Sequence, residues 1–232
     1  MKKVFALITA LTYVFTAAAQ SPTGYNLNVG EFSELRVSDG INVDYTSDNE
    51  KSGQASFTCQ ASMASAIMFN NKGGKLVIQL SPESIGTKDL PTITVHSRYL
   101  TKIENTADST VRVLSLAGSP KFEAKLEGHG HLIVRGLDAN EVKGTMRLGH
   151  GTLILAGKCS DAKLNLTGTG VIQADELVAG EATVNAKGTG SVGVNATNSL
   201  NVYGMGSTSI YYVGDPAIKN RSVGLKLNRL NN

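Results

Sequence analysis

The chain has 232 residues, 41% of them hydrophobic and 6% aromatic, and 22 basic against 19 acidic side chains give it a formal charge of +3. This is enough chain for one domain with a real core, while the near-neutral, mixed charge supplies neither a basic footprint for nucleic acid nor a polybasic block for anionic lipid. Two cysteines with no C-x-x-C pair exclude a dithiol redox centre and a cysteine-based zinc site.

Met1–Ala19 reads as a secretory signal. Lys2 and Lys3 form its basic start, Val4–Phe15 its apolar run, and Ala17–Ala19 the small-residue cleavage site before Gln20. The competing reading is an uncleaved anchor. Its apolar run falls short of the ~20 residues of a spanning helix and is interrupted by Thr9, Thr12 and Thr16. No other segment is long and apolar enough to span a membrane as a helix. Cleavage would leave 20 basic against 19 acidic residues, and the expected location is the periplasm or the outer cell surface.

Residues 20–30 form a polar lead-in. Phe32–Tyr45 then alternates with the strand period, with Leu35, Val37, Ile41, Val43 and Tyr45 on one side and Asp39-Gly40 as a turn or bulge. Ala55–Cys59 continues as a strand, and Met63–Ala66 reads as one helical turn. Ile67–Phe69 and Lys75–Leu80 flank N-N-K-G-G, a hairpin signal. Ser81–Leu90 is a loop, Pro91–His96 starts a strand, and Tyr99–Ile103 leads onward.

From Ala124 to Ile210 one pattern returns: apolar-x-apolar-x-Gly-x-Gly-x-apolar-x-apolar. Its copies are Ala124–Val134, Leu164–Ala174, Val184–Val194 and Leu200–Ile210, with Thr208 in one apolar slot of the last, and a looser copy lies at Gly149–Leu155. First glycines at Gly128, Gly149, Gly168, Gly188 and Gly204 give steps of 21, 19, 20 and 16 residues. Ile103–Val113 fits the same register with Ala107 and Ser109 in the glycine slots. In the looser copy Arg147 holds the preceding slot, with Met146 and Leu148 shifted by one, which predicts a local bulge. A strand unit every ~20 residues without a crossover helix predicts a stacked solenoid, an all-β, right-handed parallel β-helix. Each Gly-x-Gly is read as a coil corner; the alternative is plain hairpin turns of a meander. A nucleotide-binding Gly-x-Gly is excluded because neither a third glycine nor a helix follows. The tail, with S-V-G-L-K-L, reads as a final degenerate coil.

The Phe32–Tyr45 opening with its D-G-I-N-V, the N-N-K-G-G hairpin, the strand near Pro91–His96 and the Gly-x-Gly coils together resemble the GIN-domain family, which is named for the head domain of an autotransporter adhesin. The resemblance covers about Tyr25–Leu225. It implies a right-handed β-helix with a β-sandwich-like opening and a place among Gram-negative envelope proteins, and it brings no catalytic motif. The family repeat is Ser-Gly-Ser-Gly; here His, Thr or Met stands for the inner serine. On this reading 31–227 is a single GIN-type domain, with an opening module at 31–100, coils at 101–227 and a polar tail at 228–232.

Polysaccharide-cleaving sites on β-helices need clustered acids. The slot before the first glycine holds Thr106, Glu127, Leu148, Thr167, Lys187 and Tyr203, which is no acid ladder. Asp161 and Glu181 could be neighbours on adjacent coils, most simply as a solvated edge. The slot between the glycines reads Asp108, His129, His150, Thr169, Thr189 and Met205. In register, Asp108, His129 and His150 fall about 4.8 Å apart on successive coils. They could ligate a divalent metal, with His131 nearby, or simply form a polar ladder. No cofactor is expected. Cys59 and Cys159 are read as two free thiols, against a bridge that export would permit. Tyr203, Tyr211 and Tyr212 are the only aromatic cluster for a sugar platform.

The expected function is an exported, non-enzymatic, adhesin-like binding module whose partner is an envelope or extracellular protein or glycan. The alternative is a self-associating structural envelope protein, and a polysaccharide-active enzyme comes third. A tail folded over the last coil would favour the first, an open edge the second.

Overall fold

A computed structural model describes residues 21–230; the signal expected at Met1–Ala19 and the last two tail residues lie outside them. In chain order come β1 (Thr23–Asn28), β2 (Glu34–Val37), β3 (Val43–Ser47), β4 (Gln54–Cys59), a helical turn α1 (Ala61–Ala64), β5 (Ile67–Lys72) and β6 (Lys75–Leu80). β7 (Ile93–Ser97), β8 (Lys102–Asn105), β9 (Thr110–Ser115) and β10 (Ser119–Glu127) lead to four long strands, β11 (His131–Arg147), β12 (Thr152–Gly168), β13 (Val171–Gly188) and β14 (Ser191–Gly206). β15 (Ser209–Val213), β16 (Ala217–Val223) and β17 (Lys226–Arg229) close the chain.

The long strands pair in parallel, and their register slips between Val134 and Leu137, Ile154 and Gly157, and Ala174 and Val178. At each slip the strand bends, so its first half lies in one face of the solenoid and its second half in the other. The result is a right-handed parallel β-helix of about 6 turns, preceded by a sheet curled into a half-barrel. The first face, whose strands run into the Gly-x-Gly corner, is ordered β5-β6-β2-β8-β10 and then the second halves of β11–β14, ending on β16. The second face, leaving that corner, runs β1-β4-β7-β3-β9, the first halves of β11–β14, β15 and β17. Alternate residues of both faces meet in one core. In it Leu126, Met146 and Leu166 stack in register, all fully buried.

Stack order departs from chain order at the opening. The coil β2–β3 sits between β6–β7 and β8–β9, so the earliest coil in the sequence is the second in space. Its corner is Asp39-Gly40, both with positive φ, and Asp39 Oδ2 accepts the N–H of Leu80 from the neighbouring coil. The N-N-K-G-G hairpin is present: Lys72 pairs with Lys75 around Gly73-Gly74. The polar lead-in contains a strand the pattern did not predict. β1 pairs antiparallel with β4, and Tyr25 stacks on Phe57, which stacks on Phe69, at centroid distances of 5.2 and 6.0 Å. Those three rings, from β1, β4 and β5, plug the N-terminal mouth of the core.

Two kinds of constraint explain the corner glycines. The first glycine of a pair needs left-handed backbone, as at Gly188 with φ 140°. The second has an ordinary φ but no room: a Cβ on Gly190 would lie 2.1 Å from the Gly170 carbonyl oxygen of the previous coil. The extra residue of the irregular copy is Leu148, with φ 57° and 69% exposure, where the expected bulge falls.

The last copy corrects the spacing read from the sequence. Gly206, not Gly204, stacks on Gly188, and Met205 pairs with Lys187. Thr208 therefore fills the second glycine slot, fully buried, and Ser207 takes the place expected for Met205. Two glycines in alternate positions allowed either register, because a shift of two residues keeps Leu200 and Val202 in inward slots. The tail does form a further coil, yet it does not fold over the stack. β16 and β17 pair in parallel with β14 and β15, and among the described residues no further strand pairs with their outer edges. Asn220 stands in the inward slot next to Val202, where its Oδ1 accepts hydrogen bonds from Ser222 N–H and Oγ–H. A polar inward residue makes a poor seat for another coil.

Candidate functional site

The corner carries the column singled out in the sequence. Asp108, His129 and His150 lie on successive coils. Asp108 Oδ1 accepts the His129 backbone N–H at 3.0 Å, and His129 Nδ1 accepts the His150 backbone N–H at 3.3 Å. The two imidazoles stack with centroids 5.5 Å apart and planes 12° from parallel. Thr169 continues the series by donating its hydroxyl to the Gly149 carbonyl at 3.0 Å. Asp108, His129 and Thr169 thus each cap a backbone group at the corner. No group of three or more His, Cys, Asp or Glu placed to hold a metal ion occurs among the described residues.

The first face presents one acidic outward row, Lys121, Glu141, Asp161, Glu181, Ser199 and Ala217, and three further outward rows that cross the coils. One runs Lys102, Glu123, Lys143, Lys163, Thr183, Asn201, Lys219. The next runs Arg36, Glu104, Lys125, Thr145, Asn165, Asn185, Tyr203, Arg221. The third runs Glu127, Arg147, Thr167, Lys187, Met205, Val223. The N-terminal part is a lattice of ion pairs centred on Glu104, whose side chain is only 7% exposed. Lys102, Lys75 and Arg36 approach it at 3.0, 3.6 and 3.9 Å. Burial pushes the Glu104 carboxyl up, but the Lys102 hydrogen bond and the charges of Lys102, Lys75 and Lys125 outweigh it and hold the group below its ordinary range. Glu123 takes Lys143 at 2.9 Å, and Glu141 takes Lys163 at 3.1 Å.

On the second face Arg112 grips Asp44 through two hydrogen bonds of 2.7 Å, a fork geometry suited to carboxylate. The tyrosines expected to cluster do not share a surface. Tyr203 points out of the first face, Tyr211 out of the second, and Tyr212 packs partly buried against the core. Asp161 and Glu181 are direct neighbours in the parallel register, as a solvated pair. Cys59 and Cys159 are free; burial, aided by the charge of Asp161, pushes the Cys159 thiol up to about 11, which keeps it protonated and inert near neutrality.

Pattern reading missed Lys187, Lys219 and Arg221 as a group. The available signal was the run of acids, which stops at Glu181 and resumes only once, at Asp215.

The fold and its outward rows define a class, a β-solenoid that presents flat side-chain arrays. The sequence matches the family described as "Putative auto-transporter adhesin, head GIN domain" over residues 31–216, and the chain belongs to that family. Its structure is similar to that of a putative adhesin from Bacteroides fragilis, with TM-score 0.81, 21% identity, and coverage of 91% of this chain and 97% of that one. A putative lipid binding protein from Parabacteroides distasonis gives TM-score 0.72 at 18% identity, covering 92% and 98%. A putative adhesin from Parabacteroides merdae gives 0.65 at 16%, again covering 92% and 98%. These identities speak for the fold alone. Comparison with curated proteins finds no significant sequence match.

Proposed function

We propose that this protein is an exported, non-enzymatic, adhesin-like binding module of the bacterial cell envelope, with 31–227 as its single domain behind a cleaved signal. The observation that carries the reading is the first face, where ten strands in register hold outward side chains in straight rows across the coils. Such an array suits many shallow contacts along an extended partner. Family membership and the adhesin names of its structural neighbours support the same reading, as does the signal pattern of Met1–Ala19 for export. The partner is an envelope or extracellular protein or glycan, and the location is the periplasm or the cell surface. Binding of the purified protein to immobilised glycans and matrix proteins tests the function, and protease treatment of intact cells tests surface exposure.

A second reading, self-association end to end, is favoured by one feature, the outer edges of β16 and β17, which pair with no further strand among the described residues. Asn220 in an inward slot of that coil works against it. Sedimentation over a range of concentrations separates the two: a constant monomer mass supports the binding module, and a mass that climbs with concentration supports stacking.

A further inference from the structure

Charge is unevenly spread along the solenoid. On the first face, Arg36, Lys75, Lys102, Lys121, Lys125, Lys143 and Lys163 all lie within 4.0 Å of a carboxylate. Further along the same face, Arg147, Lys187, Lys219 and Arg221 are exposed and have no carboxylate within that distance among the described residues. After Glu181 the chain has five basic residues and a single acid, Asp215, which is held by Arg229 at 3.4 Å. Asp161 and Glu181 lie in the outward row at the other edge of this face, three rows from Arg147 and Lys187, so the positive field is concentrated at the corner edge and the last coil, where it acts over about one Debye length, ~8 Å at physiological salt.

The neutral residues among these cations have a consistent chemistry. Thr167 stands between Arg147 and Lys187, and Asn165 and Asn185 are adjacent in the next row. Tyr203 follows Asn185 in that row, 36% exposed, and Arg221 comes after it. Amides and hydroxyls beside one open aromatic ring can match sugar hydroxyls and a sugar face. Arg147 and Lys187 occupy one row two coils apart, about 10 Å by strand spacing, close to the length of a disaccharide.

We propose that the C-terminal half of the first face binds an anionic polysaccharide lying along the solenoid axis. Its carboxylate or sulfate groups pair with Arg147, Lys187, Lys219 and Arg221, and its sugar rings lie over Tyr203 and the asparagine row. The inference rests on the binding-module reading and names its partner chemistry. A glycan is favoured over nucleic acid because hydrogen-bonding amides and hydroxyls, rather than further cations, fill the rows between the charges.

The test is affinity electrophoresis of the full protein in gels containing polygalacturonate (carboxylated), dextran sulfate (sulfated) or neutral dextran, with duplex DNA as a competitor. The expected result is retardation by at least one anionic polymer and none by dextran. The triple variant Lys187→Ala, Lys219→Ala, Arg221→Ala should lose about tenfold in affinity, as clustered charge contacts do. The charge-matched control Lys51→Ala, Lys72→Ala, Lys88→Ala, at the opposite end, should bind as the parent does. Tyr203→Ala should weaken retention about threefold, in keeping with a lost ring contact. Retention that survives the triple variant, retention by neither anionic polymer, or displacement by DNA at equal charge concentration would each overturn the proposal. If such a failure comes with saturable binding to a neutral glycan or a protein, only this inference falls. If nothing is bound at all, the binding-module reading falls with it.

Discussion

Asp108 Oδ1 accepts the backbone N–H of His129 at 3.0 Å from the preceding coil, and His129 Nδ1 in turn accepts the N–H of His150 at 3.3 Å. The pair works as an N-cap does on a helix: a side chain satisfies a donor that the regular ladder leaves over. Asp108→Ala should therefore destabilise the fold by about 1 kcal/mol, while Asp108→Asn, which keeps an acceptor, should cost less. Thermal melts of the two variants check this, and equal midpoints would count against the capping role.

Zinc tests the other reading of the same column. With His129 Nδ1 engaged and the rings 5.5 Å apart, added zinc should leave the melting temperature where it was. A rise that disappears in His129→Ala would instead show that the corner rearranges into a metal site.

The two roles of glycine separate by substitution. At Gly190 a methyl group meets a backbone carbonyl that cannot yield without spreading the coils. Gly190→Ala should cost about 3 kcal/mol or more. At Gly136, with φ 74° and nothing within 4 Å of a Cβ, only the backbone preference is lost. Gly136→Ala should cost about 1–2 kcal/mol. Denaturant midpoints at matched slopes give the comparison, and similar losses at both sites would refute the stacking argument.

Glu104 makes stability depend on pH in a definite direction. Its folded pKa lies below the ordinary value, so its contribution is present above the unfolded glutamate pKa, roughly 4.3. That contribution is lost as pH falls through the folded value. Glu104→Gln should lower stability at pH 7, because Lys102, Lys75 and Arg36 lose their shared anion. It should also flatten the acid side of the stability curve below about pH 5. An acid slope identical to that of the parent would assign the pH dependence elsewhere.

Periodicity carried the solenoid because every interior coil repeats the same packing problem. Leu126, Met146 and Leu166 occupy one core slot, and their spacing alone reveals the coil length. The hairpin at Gly73-Gly74 was legible for a similar reason, since its residue types suit one turn geometry. Legibility failed where neighbours in space are distant in sequence. Nothing local says that β2–β3 slides between β6–β7 and β8–β9, or that Tyr25 on β1 finds Phe57. The last corner failed because Gly204-Met205-Gly206 permits two registers, and only contacts with Lys187 and Gly188 choose between them. The unpaired cations were hidden because total charge averages a paired half with an unpaired one.

The proposed function requires a monomeric solenoid that binds a partner. The measurement that bears on it most directly is equilibrium binding of the purified protein to a panel of immobilised glycans and extracellular-matrix proteins, with its mass followed by sedimentation in the same buffer. Saturable binding to at least one member of the panel by a protein of constant monomer mass is the predicted result. No saturable binding, together with a mass that increases with concentration, would contradict the account and point to a self-stacking structural protein.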